Sequence, residues 1–453
     1  MIAMDNVLHG SSVSVGDNLS GNSPLIERLT QIASSIYEIV VCRNNRWPLQ
    51  VENLELPWCK ADAALLPTMK EAVDILADIA TEQASQRLFT VLNINEELRV
   101  QEPVPPERPF PCKVSSNAFT AAPKSVHELR PQDISVVATL GDSLVTGYGA
   151  LADNFVGLFL KNQQVSWAIG GDQDWRSVTT IPNLLRKFNP DLIGFAVEGS
   201  EAHFGMGEAR SHDENLLSQA EKLVAKMKRD PRVDFKQHWK MVTILSGQND
   251  ICSGDPCFPS PKAAALEHKK NLRKVLDYLQ ANLPRTFVNL LPVMDVTASW
   301  QIEKSFLCAV MSVIECRCLY GPGGVDNVKK MKAIVDAFHV AEYDLISSGR
   351  YETKDDFTVM IQPFTSSLEP PKTRNILGLD LADLSFFSVD CFHLSQKGHA
   401  AFATMQWNNL LQSVGNKTMD FIMPMQEIAC PSENVPYFFT NVNSKLYQNI
   451  GRQ

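Results

Sequence analysis

From residue 134 onward, short apolar runs alternate along the chain with longer segments of helical periodicity. The apolar runs are rich in Val, Ile and Leu, which is typical of strands covered on both faces. We predict strands at residues 134–140, 165–169, 192–197, 241–245, 286–291 and 357–361. We predict helices at residues 180–188, 215–228, 262–282, 325–347 and 396–412. This alternation predicts right-handed βαβ units, and therefore an α/β fold with a central parallel sheet and helices on both faces.

The composition excludes several classes of protein. Of the 453 residues, 44% are hydrophobic and 21% are charged, and the formal net charge is −9. Because an acidic chain lacks the basic excess that meets phosphates, we expect no nucleic-acid partner. No apolar run reaches the length of a transmembrane helix, and residues 1–30 lack the basic and apolar regions of a signal peptide.

Composition and patterning divide the chain into four segments. Residues 1–22 are rich in Ser, Gly and Asn, and we expect them to be disordered. Residues 23–125 contain helical periodicity and then five prolines between positions 103 and 111, which predicts a helical and Pro-rich extension packing on the core. Residues 126–430 hold the α/β pattern, and residues 431–453 form a C-terminal tail.

The ten cysteines are compatible with disulfides or with buried free thiols. Cys252 and Cys257 lie in a short loop of Ser, Gly, Asp and Pro residues, which suits a bridge between the two. The pair Cys316 and Cys318 is a weak zinc signal, because no Cys-x-x-Cys spacing accompanies it. We therefore expect no metal.

The first predicted strand stops at Gly141-Asp142-Ser143. A serine at the carboxyl end of a parallel strand lies where open α/β sheets place their sites. A tight turn there can fix the hydroxyl and direct its backbone N–H to the same point, as acyl transfer requires. Since Gly-Asp-Ser is also ordinary turn chemistry, the catalytic interpretation depends on what else the chain supplies.

A second loop, Gly247-Gln248-Asn249-Asp250, follows the strand at 241–245 and so lies on the same edge of the sheet as Ser143. The amide of Asn249 is a neutral donor, which suits an oxyanion that develops during reaction. The alternative is a simple turn, for which Asn-Asp is well suited.

A third loop, Asp390-Cys391-Phe392-His393, precedes the last predicted helix. His393 can accept the proton of a serine near neutral pH, and Asp390 can accept from the other ring nitrogen and fix the tautomer. The alternative is a capping Asp with an incidental His.

Taken together and in this order, the three loops resemble the GDSL, or SGNH, hydrolase superfamily, whose letters denote a Ser, a Gly, an Asn and a His. Between residues 110 and 430 the chain also resembles the animal phospholipase B family. The segments that carry this resemblance are residues 125–134, 166–172, 188–190, 238–240, 249–252, 348–351, 356–359 and 390–395. The resemblance implies a three-layer α/β/α flavodoxin-like fold.

The resemblance also implies roles for individual residues. Ser143 is the nucleophile, His393 is the base, and Asp390 orients His393. The oxyanion hole combines the Ser143 backbone N–H, the Asn249 side chain and the N–H of a glycine. The family shows an Asn-x-Ala-x-x-Gly-Ala pattern, which contains that glycine, before the amphipathic helix. Residues 203–210 here are His-Phe-Gly-Met-Gly-Glu-Ala-Arg, in which no Asn leads the segment, the glycine is out of register, and Gly207 is the nearest candidate. Losing one such donor costs roughly 2.7–4 kcal/mol in the barrier.

The activity that the resemblance implies is that of a serine esterase acting on phospholipids and lysophospholipids, without a metal or cofactor. It implies transient contact with a membrane surface, no protein partner, and a secreted or extracellular location, with a cytosolic location left open by the N-terminus. Two alternatives stand beside it. One is a catalytically weak or silent lipid-binding protein on the same fold, and the other is an esterase for short acyl esters.

Overall fold

The computed structural model describes residues 99–114, 121–153, 157–208, 212–301, 306–369, 371–374 and 380–447. The segment at residues 1–22 that we expect to be disordered lies outside these residues, as do most of the predicted helical extension, Cys42 and Cys59.

A parallel sheet of four strands forms the centre of the molecule. The strands are β1 (Ile134–Gly141), β2 (Trp239–Leu245), β3 (Thr286–Leu290) and β4 (Phe357–Ile361), and they are adjacent in that order. Ala138 pairs with Val242, Val242 with Val288, and Val288 with Val359. Because all four strands run in the same direction, their carboxyl ends meet at one edge of the sheet.

Helices and short turns connect the strands. The helices are α1 (Ile181–Leu185), α2 (Asp213–Arg229), α3 (Gln248–Ser253), α4 (Pro261–Asn282), α5 (Phe306–Glu315), α6 (Arg317–Tyr320), α7 (Val325–Ser347), α8 (Gln396–Leu410) and α9 (Asn441–Tyr447). A short antiparallel pair, β5 (Lys372–Arg374) and β6 (Asp380–Ala382), lies apart from the main sheet. The five predicted helices are confirmed, with end points that differ by a few residues.

Each face of the sheet is covered by its own set of helices. Val136, Ala138 and Leu140 of β1 pack in one buried cluster with apolar residues of α2, α4 and α7. Val137 belongs to a second cluster, which includes side chains of α1 and α8. This alternation along β1 confirms the predicted three-layer α/β/α arrangement with a central parallel sheet.

The strands predicted at residues 165–169 and 192–197 do not form. The first segment is a turn, because the N–H groups of Ile169 and Gly170 both donate to the Ser166 carbonyl, at 3.3 and 2.8 Å. The second contains Gly194 at φ +96°, which interrupts an extended backbone, and Ile193 makes only an isolated bridge to Val136 of β1. The second segment therefore lies along the outer edge of β1 without extending the sheet, and the first borders the second through an isolated bridge between Gly170 and Ala196.

Four disulfides join the described cysteines: Cys112–Cys430, Cys252–Cys316, Cys257–Cys318 and Cys308–Cys391. The predicted bridge between Cys252 and Cys257 is therefore wrong. Both cysteines instead pair with the chain at α6, so that two neighbouring bridges fasten α3 and the loop after it to that helix. Because Cys316 is bonded to Cys252 and Cys318 to Cys257, neither offers the thiolate that a zinc site needs.

The Pro-rich segment and the chain after residue 430 pack on the α/β unit. The Val104 N–H donates to the Arg176 carbonyl at 3.0 Å, and the Phe438 N–H donates to the Leu129 carbonyl at 2.8 Å. Among the described helices, none combines the length and apolar character that crossing a bilayer requires.

Candidate active site

The turn after β1 presents Ser143 at the carboxyl edge of the sheet. Gly141 has φ +150°, and a Cβ at this position would lie 2.0 Å from the Leu245 carbonyl oxygen, so only glycine fits where β1 ends against β2. The turn is closed by hydrogen bonds from the Thr146 N–H to the Asp142 carbonyl and from the Tyr148 N–H to the Ser143 carbonyl, at 3.3 and 3.2 Å.

Ser143, His393 and Asp390 form one chain of hydrogen bonds. The Ser143 Oγ lies 2.7 Å from His393 Nε2, and His393 Nδ1 lies 2.6 Å from Asp390 Oδ2. The second carboxylate oxygen of Asp390 accepts from the backbone N–H groups of Phe392 and His393, at 3.0 and 2.9 Å. Ser143 remains 8% exposed, whereas Asp390 and His393 are almost fully buried. A carboxylate held at Nδ1 leaves Nε2 to accept the hydroxyl proton.

The charges of Asp390 and His393 stabilise one another. Burial alone lowers the pKa of His393, but the nearby Asp390 carboxylate outweighs burial and raises it above its usual value. Burial raises the pKa of Asp390, and the positive charge and hydrogen bond of His393 outweigh it, so that the net pKa is lowered. Asp390 therefore stays ionised and favours the imidazolium that would form during proton transfer.

The turn that carries His393 is fixed directly to the turn that carries Ser143. The Ser388 Oγ donates to the Gly149 carbonyl at 2.6 Å, and the Gln396 N–H donates to the Ala150 carbonyl at 2.9 Å. Cys391, between Asp390 and His393, has φ +57° and is held by its disulfide to Cys308 of α5. These connections define the distance between the proposed base and nucleophile.

Asp142 belongs to the site, although the sequence did not indicate a role for it beyond the turn. Its Oδ1 accepts from the Leu144 N–H at 3.0 Å. In the amide orientation that satisfies both neighbours, Gln248 donates to Asp142 Oδ2 at 2.6 Å and accepts from the Met294 N–H at 2.9 Å. Burial raises the pKa of Asp142 to about 7, despite the opposing effects of the Leu144 N–H and His393. The Asp142–Gln248 contact joins the turn that carries Ser143 to the loop that carries Asn249.

The two further oxyanion candidates lie on segments that border this turn. Asn249 is the second residue of α3, directly after Gln248. Gly207 packs on the turn so closely that a Cβ there would lie 2.8 Å from the Thr146 Cγ2 and 3.3 Å from the Asp142 carbonyl oxygen. The altered segment at residues 203–210 thus still brings a glycine backbone beside the turn that carries Ser143.

A third carboxylate lies near the hydrogen-bonded pair of Asp390 and His393. The oxygen and nitrogen atoms offered by Glu315, Asp390 and His393 all lie within 4.8 Å of one another, which is close enough to surround a metal ion. However, the two ring nitrogens of His393 are engaged by Asp390 and Ser143, so a metal would have to displace one of them. We therefore assign Glu315 an electrostatic effect on His393, whose pKa it raises.

An apolar pocket opens beside these residues. Its lining includes Leu144, Gln248 and Leu394, which are the sequence neighbours of Ser143, Asn249 and His393. The remaining lining is mostly aliphatic and aromatic, and includes Met294, Val296, Leu368, Phe386, Phe392, Phe402 and Phe421. A pocket of this composition suits a hydrocarbon chain, and the sequence alone did not locate it.

Comparison with known proteins places these features in context. Residues 137–404 match the model of the family described as GDSL-like lipase/acylhydrolase. Three curated relatives, from Mus musculus, Rattus norvegicus and Homo sapiens, carry the name "Phospholipase B1, membrane-associated". The protein from Mus musculus is 35% identical over 384 residues, which are 80% of this chain and 25% of the relative, and the protein from Homo sapiens is 36% identical over 335 residues, which are 71% and 22%. The chain thus spans about a quarter of the length of the curated relatives that it matches.

Proposed function

Because this chain belongs to the GDSL-like lipase/acylhydrolase family, we propose that it is a serine esterase in which Ser143, His393 and Asp390 are the catalytic residues. The hydrogen-bonded chain from the Ser143 hydroxyl through His393 to Asp390 carries this proposal. The backbone N–H groups of Ser143 and Gly207 and the side chain of Asn249 are the proposed oxyanion donors. The reaction is hydrolysis of a carboxylic ester through an acyl-enzyme.

The steps follow from the geometry. The Ser143 Oγ attacks the ester carbonyl carbon while its proton moves to His393 Nε2, and the carbonyl oxygen becomes the oxyanion. When the intermediate collapses, the bond to the leaving alcohol breaks and His393 returns the proton to that alcohol. Water then attacks the acyl-enzyme, loses a proton to His393, and releases the carboxylic acid as Ser143 regains its proton. No step requires a metal or cofactor.

We propose that the substrates are acyl esters of phospholipids and lysophospholipids. Two observations support this choice. The curated relatives are named phospholipase B1, and the apolar pocket beside Ser143 provides a surface for an acyl chain. Access to such substrates involves transient contact with a membrane surface. The four disulfides favour a secreted or extracellular location, since such bridges persist in oxidising compartments.

Labelling with a fluorophosphonate probe tests the nucleophile. We expect the wild-type protein to be labelled and Ser143→Ala to remain unlabelled, with kcat for ester hydrolysis lowered on the order of a million-fold. A remote control, Ser348→Ala, should retain labelling because its hydroxyl bonds the Leu345 carbonyl at the end of α7. Absence of labelling in the folded wild type would instead favour the silent lipid-binding alternative.

A series of acyl chain lengths tests the substrate. With lysophosphatidylcholines and with p-nitrophenyl esters, we expect kcat/KM to rise from short to long acyl chains. Leu368→Trp places a larger side chain in the pocket, so it should lower kcat/KM for long chains and leave acetyl esters unchanged. Preference for acetyl esters in the wild type would identify an esterase for short acyl groups.

A further inference from the structure

A buried histidine other than His393 lies under the loop that carries Asn249. His268 of α4 lies between two carboxylates, with its Nδ1 hydrogen-bonded to Asp213 Oδ2 and its Nε2 3.0 Å from Glu342 Oε1. Asp213 is the first residue of α2, and Glu342 belongs to α7. None of the three is more than 2% exposed. We call Asp213, His268 and Glu342 the His268 cluster.

The hydrogen bonds of the His268 cluster define its protonation. Each ring nitrogen faces a carboxylate oxygen, so each must donate a proton and the ring is an imidazolium. Burial lowers the pKa of His268, but Asp213 and Glu342 outweigh burial and raise it to about 10. At neutral pH the ring is a fixed cation and has no vacant nitrogen with which to act as a base.

The His268 cluster is bonded directly to the loop at residues 246–250. The Ser246 Oγ donates to Asp213 Oδ1 at 2.8 Å, and the Asp213 N–H donates to Asp250 Oδ2 at 3.0 Å. Gly247, at φ +117°, packs on the imidazole, where a Cβ would lie 3.2 Å from the His268 Cε1. Ser246 and Asp250, at the two ends of this loop, are thereby bonded to Asp213, and Gly247 between them packs on His268.

A second connection reaches the same loop from its other side. Glu342 Oε1 accepts from the Val293 N–H at 3.1 Å. The next residue, Met294, donates its N–H to Gln248, which in turn donates to Asp142 beside the nucleophile. The His268 cluster therefore supports Asn249 through the residues before it, through Asp250 after it, and through the segment at Val293 and Met294 that follows β3.

We propose that Asp213, His268 and Glu342 are positioning residues that hold Asn249 in the orientation required for oxyanion stabilisation. This inference rests on the proposed function, because it assigns Asn249 to the oxyanion hole. Buried ion pairs contribute little net stability compared with apolar side chains of similar size. What they provide here is a set of hydrogen bonds with fixed directions, and an oxyanion donor needs fixed orientation.

A double-mutant cycle tests the coupling to Asn249. Alone, Asn249→Ala should lower kcat by about a hundredfold to a thousandfold. Ser246→Ala removes the bond from the loop to Asp213, and we expect it to lower kcat by up to about a hundredfold with little change in KM. In the Asn249→Ala background, Ser246→Ala should have no further effect on kcat. Equal losses of kcat in both backgrounds would overturn the proposal.

Thr286→Val is the matched control, because Thr286 is a buried hydroxyl at the opposite edge of the sheet that bonds the Leu283 carbonyl. We expect Thr286→Val to cause a small loss of kcat that is the same in the wild type and in Asn249→Ala. The effect of the more disruptive variant His268→Gln on kcat is measured in the same two backgrounds, once thermal unfolding shows that the variant folds.

Amide hydrogen exchange separates this proposal from the proposed function. In Ser246→Ala we expect faster exchange at residues 247–253 and unchanged exchange at residues 390–393. Unchanged exchange at residues 247–253 would overturn the positioning role, whatever the activity. A wild-type protein that hydrolyses no ester would refute the proposed function alone.

Discussion

Two of the buried histidines in the described part of the chain are alike on one side of the ring and different on the other. His393 and His268 each have an Asp carboxylate at Nδ1. At Nε2, however, His393 meets the hydroxyl of Ser143, and His268 meets the carboxylate of Glu342. The identity of this second partner decides whether the ring can exchange a proton.

A hydroxyl can donate to an imidazole nitrogen, whereas a carboxylate can only accept. His393 can therefore be neutral and accept a proton from Ser143, while His268 remains an imidazolium between two anions. The same residue type at the same edge of the sheet is a proposed base in one place and a fixed cation in the other. An Asp–His pair is not by itself evidence of catalysis; the third partner has to be a group that can lose a proton.

The same substitution in the two Asp residues gives the largest expected contrast. Asp390→Asn leaves an amide that favours the wrong tautomer of His393, and we expect kcat to fall by about ten-thousandfold. Asp213→Asn changes only the orientation of a neighbouring loop, so kcat should fall by no more than about a hundredfold. Steady-state hydrolysis of one p-nitrophenyl ester measures both, after thermal unfolding confirms that each variant is folded. Losses of equal size would contradict the distinction between base and fixed cation.

The pH dependence of stability provides the next contrast. Because the pKa of His268 is raised from 6.5 to about 10 in the folded protein, the unfolded state loses this proton first as pH rises. The contribution of His268 is fully present below its unfolded pKa and is lost as pH rises through about 10. Urea denaturation at about pH 7 and about pH 9.5 should show a smaller fall in unfolding free energy for His268→Gln than for the wild type.

Thr286→Val again provides the control, because it removes no titratable group. Its unfolding free energy should fall with pH as steeply as that of the wild type. A slope for His268→Gln that equals the wild-type slope would mean that His268 titrates alike in the folded and unfolded states.

The two histidines also differ in how far the sequence predicts them. Asp390 and His393 are three residues apart and follow one turn, so their pairing was visible as a short motif. His268 lies 55 residues from Asp213 and 74 from Glu342. No local pattern joins such positions, because the packing of three helices brings them together. The strands β1 to β4 could be predicted because each is a short local run made mostly of apolar residues.

The errors have the same physical origin. The runs at residues 165–169 and 192–197 are apolar, but backbone turns and Gly194 prevent strand formation. The bridge predicted between Cys252 and Cys257 relied on their closeness in sequence, whereas their partners lie more than sixty residues away. The Asp142–Gln248 contact and the apolar pocket likewise depend on tertiary packing. Sequence therefore identified the candidate catalytic side chains but not what holds them.

Glu315 offers the smallest and most specific test of the comparison, because it acts on His393 through charge. Burial lowers the pKa of His393, and Asp390, Glu315 and Asp142 raise it. His399 also interacts electrostatically with His393, but burial lowers the pKa of His399 to about 3, so it stays neutral. Among these groups, Glu315 can be neutralised without removing the Asp390 bond or the contact between Asp142 and Gln248.

The acid side of the pH profile of kcat/KM reports the protonation of His393 in the free enzyme, since only the neutral ring accepts a proton from Ser143. Glu315→Gln removes a negative charge that favours the imidazolium, so the pKa of His393 should fall. We expect the acid limb of the profile to move to lower pH, with activity retained on the alkaline side. Glu267→Gln, an exposed carboxylate paired with Lys270, should leave the limb in place. An acid limb that stays in place or moves to higher pH in Glu315→Gln would show that Glu315 does not stabilise the imidazolium form of His393.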